Sequence, residues 1–269
     1  MEGFELIDAG DGRRLERFGD HIVDRPTPAA WSDRLIPDRW SDADLRFDRD
    51  QGWSGGGLAQ AHDGWTASLG DLTLELRPTD AGQVGLFPEH AAMIPWLHDR
   101  IAERDRPNVL HLFAYTGLAT LSMARAGAQV AHVDAARSSV DWARRNAALN
   151  GMSEQPIRWL VDDARAFVAR EIRRDRRYDG VVLDPPTYGH GPSGKAWRLQ
   201  EELDALLADI RKLLAPDGFI LLTAHAESIT PEALGAFLGR KAEVGELVLD
   251  GTSGTRLRLG AFARLDGRA

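Results

Sequence analysis

The sequence predicts an α/β fold: a mostly parallel sheet closed by a C-terminal antiparallel hairpin, preceded by a small β-rich domain. Three observations carry this. Asn108 to Asp134, NVLHLFAYTGLATLSMARAGAQVAHVD, is an apolar run, a turn, a helix-like stretch and a second apolar run ending on an acid. The same unit recurs downstream, with later apolar runs closed by Asp162-Asp163 and by Asp184. Before these repeats the pattern changes to short alternating runs punctuated by Gly-Asp pairs, the signature of antiparallel strands. The expected domains are residues 1–86, β-rich, and residues 87–269, which carry the parallel sheet.

From Phe4 to Arg25 the short runs are split by Gly10-Asp11-Gly12 and Gly19-Asp20, which predicts an antiparallel meander. Pro37 to Gly64 is acidic and glycine-rich, and it is expected to be an irregular excursion whose Trp40 and Trp53 plug a core. Trp65–Leu69 and Leu72–Arg77 flank Gly70-Asp71, a two-residue hairpin signal. Val84 to His90 then leads into a helix containing Ala91, Ile94, Trp96 and Leu97.

In the second domain, Val109, Leu110, Leu112 and Phe113 form the first strand. Leu118, Leu121 and Met123 to Ala126 form a helix stopped by Gly127, and Gln129 to Val133 form the second strand. Ser138 is expected to cap the next helix, which carries Val140, Ala143 and Ala147 inward and ends at Asn150-Gly151. Ile157, Trp159 and Val161 make a third strand, and Arg165 to Arg174 a helix. Gly180 to Leu183 make a fourth strand, ending in Asp184-Pro185-Pro186-Thr187-Tyr188. Leu203, Leu206, Ile210 and Leu213 line another helix, stopped by Pro216-Asp217-Gly218 before a fifth strand, Phe219 to Thr223. Val244–Leu249 and Leu257–Leu265 form the closing hairpin.

At 269 residues with 43% hydrophobic content, the chain is long enough to bury a large core and a small one. It contains no cysteine, which excludes disulfides, cysteine-ligated zinc and thiolate catalysis together. The opening MEGFELIDAGDG has no long apolar run, so neither a signal peptide nor a membrane span is supported, and a cytoplasmic protein is expected. The net charge of −8 argues against indiscriminate coating of nucleic acid. A local basic cluster, Arg170, Arg173, Arg174, Arg176 and Arg177, is read as a solvated helix end, with RNA contact as the alternative.

In an open parallel sheet, ligands bind beyond the carboxyl ends of the strands. That places the expected site near Tyr115, Gly117 and Asp134. A dinucleotide needs G-x-G-x-x-G after the first strand, and Phe113-Ala114-Tyr115-Thr116-Gly117-Leu118 has one glycine; no G-x-x-x-x-G-K-[ST] exists either. A ligand with a ribose but no phosphate remains, its two hydroxyls suited to Asp134, and S-adenosylmethionine is the common ligand of that description. Asp162 and Asp163 fit either a helix cap or a ligand contact. His111 and His132 lie within strands and are expected in the core. No H-E-x-x-H or comparable spacing exists, so no metal is implied.

Two consecutive prolines cannot continue a ladder and have fixed φ, so Pro185-Pro186 hold the chain in a stiff bend just past Asp184. Asp184 and adjacent carbonyls can accept hydrogen bonds from an amine, and Tyr188 can stack on a flat ring. Gly189 to Lys195 has the composition of a lid, with His190 and Lys195 in reach of a phosphate or simply exposed.

FAYTG, HVDAA, DDARAF and DPPTYG, in this order and at these intervals, resemble a class I S-adenosylmethionine-dependent methyltransferase, in particular the bacterial 23S ribosomal RNA methyltransferases with F-x-Y-T-G and D-P-P motifs. The similarity runs from about Val84 to Thr223. It implies a Rossmann-like sheet and S-adenosylmethionine as cofactor. It also implies cofactor contacts from Phe87 and Glu89 toward the methionine end, with His90 beside them, from Phe113, Thr116, Ala135 and Ser138, from Asp162, Asp163 and Ala164, where Asp163 accepts from the adenine amine, and from Asp184. Asp184, Pro185, Pro186 and Tyr188 are then the catalytic segment, acting on a nucleobase nitrogen of ribosomal RNA. Without cysteine, carbon-5 methylation of cytosine through a covalent thiolate adduct has no nucleophile. The alternatives are a small-molecule methyltransferase and a cofactor-binding protein without activity.

Overall fold

The computed structural model describes residues 3–190, 196–225 and 229–268, together with no side chain for His190 or Ala196. The chain divides into two compact units: Met1–Ala91 with Val248–Leu259, and Ala92–Leu247 with Gly260–Ala269.

The first unit opens with the expected meander: β1 (Phe4–Gly10), β2 (Arg13–Phe18) and β3 (His21–Pro26), antiparallel in sequence. The excursion expected after it is more regular than its composition suggests. A 3-10 turn at Pro37–Asp42 is followed by β4 (Leu45–Asp48) and β5 (Gly52–Ser54), which extend the same sheet, then by a single helical turn, α1 (Leu58–Ala61). Strands of four and three residues are too short to show alternation in sequence, and pairing with β3 supplies what propensity does not. Trp40 is buried against Ile7 and Leu15, and Trp53 half-buried, its indole donating to the Thr79 carbonyl at 2.7 Å. The hairpin β6 (Trp65–Leu69) and β7 (Leu72–Leu76) follows, then a 3-10 segment at Pro88–Met93.

Two buried charges of this unit, Arg25 and Glu16, are paired with each other. Arg25 meets Glu16 through Nε and Nη2 at 2.6 and 3.2 Å, as the cost of desolvating an unpaired ion demands.

The second unit begins with α2 (Ile94–Ala102) and runs through β8 (Asn108–Leu112), α3 (Leu118–Arg125), β9 (Gln129–Asp134), α4 (Arg137–Leu149), β10 (Ile157–Val161), α5 (Ala164–Arg173) and β11 (Tyr178–Leu183). A short pair, β12 (Tyr188–His190) and β13 (Ala196–Arg198), precedes α6 (Leu199–Leu213), β14 (Leu214–Ala224), α7 (Pro231–Leu238), β15 (Glu243–Asp250) and β16 (Arg256–Asp266). The seven-stranded sheet has the order β10-β9-β8-β11-β14-β16-β15; β16 runs antiparallel to β14 and the first five strands are parallel. Buried on both faces, β8, β9 and β11 carry near-continuous apolar runs such as VLHL and GVVL. The core joins Leu110, Leu112, Val133, Val181 and Leu183 to Phe167 of α5 and Leu203, Leu206 and Ile210 of α6.

His111 and His132 are buried as expected, their Nδ1 atoms 2.7 and 2.9 Å from the Thr120 hydroxyl. Burial, then the neighbouring His111, holds the His132 imidazole well below its ordinary range, so it stays neutral.

The outer end of the closing hairpin departs from the expected boundary. Val248–Leu259 belongs to the first unit, which also runs past residue 86 to Ala91. The cause is hydrogen bonding: the Thr252 and Ser253 amides donate to the Leu6 and Ile7 carbonyls at 2.9 and 3.1 Å, and the Ser253 hydroxyl donates to Asp8 at 2.9 Å. Among the described residues no helix is long and apolar enough to cross a membrane.

Candidate functional site

Strand order fixes where a ligand can bind. From β8 the chain moves outward through β9 and β10, then returns to β11 on the other side of β8 and continues to β14. The order reverses between β8 and β11, and in such sheets the crevice beyond their carboxyl ends is the binding site. The segments leaving those two ends are Phe113–Gly117 and Asp184–Tyr188.

The first segment is a strained turn. Phe113 (φ +54°), Tyr115 (φ +48°) and Gly117 (φ +92°) all occupy the left-handed region, which costs a non-glycine residue about 1–2 kcal/mol. At Gly117 a Cβ would also lie 3.0 Å from the Ala143 Cβ, so glycine lets α3 start close against α4. The turn is held from several sides: the Ala114 amide donates to the Val133 carbonyl (3.2 Å) and the buried Asn146 amide donates to the Thr116 carbonyl (2.9 Å).

Asp134, at the end of β9, is where this turn and the next strand end meet. Its Oδ2 accepts from the Tyr115 amide and its Oδ1 from the Ala136 amide, both at 2.9 Å, while its carbonyl accepts from the Asp162 amide at 3.0 Å. Burial raises its carboxyl above the ordinary aspartate range, against the two amide hydrogen bonds that lower it. A half-buried carboxylate fixed by backbone at the strand end fits two vicinal hydroxyls, and the glycine-poor turn gives no cradle for a pyrophosphate.

Of the other expected contacts, Ala135 sits beside Asp134. Ser138 does not cap α4: the helix starts at Arg137, so the cap position is Ala136, with no side-chain cap, and Ser138 lies exposed within the first turn. Asp163 is the cap of α5, accepting from the Ala166 amide at 3.0 Å, with Arg165 at 3.6 Å; Asp162 pairs with Arg170, and Ala164 is buried. Three arginines of the basic cluster have acidic partners: Arg170 as above, Arg174 with Glu171 at 3.1 Å and Arg177 with Asp175 at 3.4 Å. Phe87 and Glu89 fall in the first unit, Phe87 stacked on His90 (6.0 Å between centroids) and Glu89 buried.

The second segment carries Asp184. The Thr223 hydroxyl donates to its Oδ1 at 2.7 Å, and His225 Nδ1 lies 3.2 Å from the same oxygen. Pro185 is buried, whereas Pro186 and Thr187 are exposed and Tyr188 is 56% exposed. The Pro186 carbonyl already accepts the Trp197 indole N–H at 2.7 Å, so it is held by the protein and is not simply an open acceptor; the Thr187 carbonyl likewise accepts the Leu199 amide at 3.1 Å. Trp197 also packs on Phe113 (5.1 Å between centroids), tying the two segments together. The expected lid contacts lie outside the described residues: residues 191–195, Lys195 among them, and the side chain of His190. Thr223, His225 and Trp197 belong to no local motif, and only the pairing of β11 with β14 and of β12 with β13 brings them in.

A parallel sheet with this reversal, a glycine-poor turn after β8 and an acid closing β9 define the Rossmann-like methyltransferase class. The model of the S-adenosylmethionine-dependent methyltransferase family matches residues 27–249. The chain belongs to that family, whose cofactor is S-adenosylmethionine.

Along 98% of its length the chain is similar to the SAM-dependent methyltransferase from Agrobacterium tumefaciens, with 36% identity, a TM-score of 0.92 and 90% of that chain covered. It is also similar to the ribosomal RNA large subunit methyltransferases K/L of Magnetococcus marinus (32% identical, covering 60% of this chain) and Methylococcus capsulatus (35%, covering 52%). It spans 22% and 19% of the length of those two relatives.

Proposed function

We propose that this chain is a cytoplasmic methyltransferase acting on a nucleobase nitrogen in ribosomal RNA. The observation that carries the reading is the pairing of an exposed aromatic ring, Tyr188, with a positioned carboxylate, Asp184, on a stiff proline bend at the sheet's switch point. The names of the K/L relatives support RNA as the substrate.

In this reading Phe113, Tyr115, Thr116, Gly117, Asp134, Ala135 and Ser138 hold the cofactor, with Asp134 on the ribose. Asp162, Asp163 and Ala164 face the adenine. When bound, the cofactor supplies a sulfonium methyl: the substrate lone pair forms the N–CH3 bond as the S–CH3 bond breaks, its electron pair staying on sulfur. Tyr188 stacks on the base. An amine conjugated to a base ring offers its lone pair poorly until its hydrogens are held, and the Asp184 carboxylate holds them. Its task is orientation and charge stabilisation.

The net charge of −8 and the internal ion pairs of Arg170, Arg174 and Arg177 favour a second reading, a small-molecule acceptor. Transfer of labelled methyl groups separates the two. Ribosomal RNA from a strain lacking the gene is expected to accept label, and RNA from the parent strain much less. Label entering a metabolite extract and neither RNA would replace the RNA reading with the second.

A further inference from the structure

β11 and β14 are adjacent and parallel, with Leu183 opposite Leu222, so the residues that follow them leave the sheet side by side. From β11 this delivers Asp184, and from β14 it delivers Thr223 and, two residues on, His225. The Thr223 hydroxyl donates to Asp184 Oδ1 at 2.7 Å, and His225 Nδ1 lies 3.2 Å from that oxygen. The His225 and Asp184 side chains are 25% and 22% exposed: open enough to meet a ligand, buried enough to be held.

An ionised carboxylate only accepts hydrogen bonds, so a hydrogen bond across this 3.2 Å contact requires the proton of the neutral imidazole to sit on Nδ1. The lone pair then sits on Nε2. Isolated imidazole side chains favour the opposite tautomer, so here the choice is made by the partner. A base oriented by a carboxylate, itself fixed by a third group, is the arrangement that readies a side chain for proton transfer.

We infer that His225 is the proton acceptor of the reaction, oriented by Asp184 and Thr223; this rests on the methyl-transfer reading above. Once the N–CH3 bond has formed, the methylated nitrogen carries one proton too many. Its N–H bond breaks with the electron pair staying on nitrogen, and the proton passes to His225 Nε2. The resulting imidazolium faces the Asp184 carboxylate and returns its proton to water. Asp184 thus has two tasks, holding the substrate amine and holding the base.

Nitrogen NMR of the full chain without substrate tests the arrangement. The expected spectrum places the His225 proton on Nδ1 in the wild type and moves it toward Nε2 in Asp184→Ala. A wild-type His225 protonated on Nε2 would overturn the inference. The catalytic role is tested on an RNA that the wild type methylates: His225→Ala and His225→Gln should both lower turnover, by about 10²–10³-fold, with cofactor affinity unchanged by calorimetry. Glutamine keeps a hydrogen-bonding group but takes no proton. Wild-type turnover in His225→Gln, or cofactor binding lost in parallel with turnover, contradicts the assignment. If the wild type methylates no RNA, the substrate reading is what fails, and the tautomer still decides the arrangement of Asp184 and His225.

Discussion

Two acids close neighbouring parts of the same sheet, and they are held in different ways. Asp134 is gripped by backbone: the amides of Tyr115 and Ala136, each at 2.9 Å. Asp184 is gripped by side chains: the Thr223 hydroxyl at 2.7 Å and His225 at 3.2 Å. A backbone grip depends on the path of the chain, so it survives most side-chain changes and yields only to a change of turn geometry. A side-chain grip depends on the identity of two residues at the end of another strand, Thr223 and His225. The first suits a cofactor common to many reactions, and the second suits the part of a site whose chemistry is specific.

The largest expected effect breaks the side-chain-held acid. Asp184→Asn keeps the shape and an acceptor for Thr223 but replaces an oxygen with a donor. Turnover should fall by about 10²–10⁴-fold with cofactor affinity near normal. A wild-type rate would reduce Asp184 to a strand end.

Next comes the turn that feeds Asp134. Gly117→Ala places an L side chain at φ +92° with its Cβ against Ala143. A loss of about 1–2 kcal/mol in folding stability is expected by denaturant titration, with weaker cofactor binding. No change in either would mean that the turn relaxes without the glycine.

The smallest effect is a pH dependence. Burial raises the Asp134 carboxyl above the ordinary aspartate range. Ribose hydroxyls donate to the ionised form, so affinity is complete above the raised value and is lost as pH falls through it. Cofactor binding should therefore weaken at a higher pH than an ordinary aspartate would give, and Asp134→Asn should remove that step. A wild type whose affinity is flat across this range would show that the charge on Asp134 plays no part.

The same contrast explains what the sequence reveals. Parallel strands buried on both faces leave long apolar runs, so the βαβ units, the turn at Phe113–Gly117 and both acids are legible from residue order alone. Pro185-Pro186 mark a bend because proline's constraint is local. Thr223 and His225 are not legible as site residues, since 39 residues separate Thr223 from Asp184 and only the β11–β14 register joins them. Trp197 is hidden likewise, reaching Pro186 through the β12–β13 pair.

Ser138 misleads because serine near a helix start is a common cap, whereas α4 begins one residue earlier, at Arg137, and puts the serine inside the first turn. Strands β4 and β5 escape notice because three or four residues cannot show a period. The outer hairpin, Val248–Leu259, joins the first unit through hydrogen bonds from Thr252 and Ser253 that sequence spacing cannot foretell.

Asp134 and the glycine-poor turn are expected to bind a ribose without a pyrophosphate. Calorimetry of the full chain with S-adenosylmethionine and with a nicotinamide dinucleotide, repeated on Asp134→Ala, tests it most directly. S-adenosylmethionine should bind the more tightly, and Asp134→Ala should cost it about 1.5–3 kcal/mol, the worth of a hydrogen bond to a charged group. Tighter binding of the dinucleotide, or unchanged S-adenosylmethionine affinity in Asp134→Ala, would contradict it.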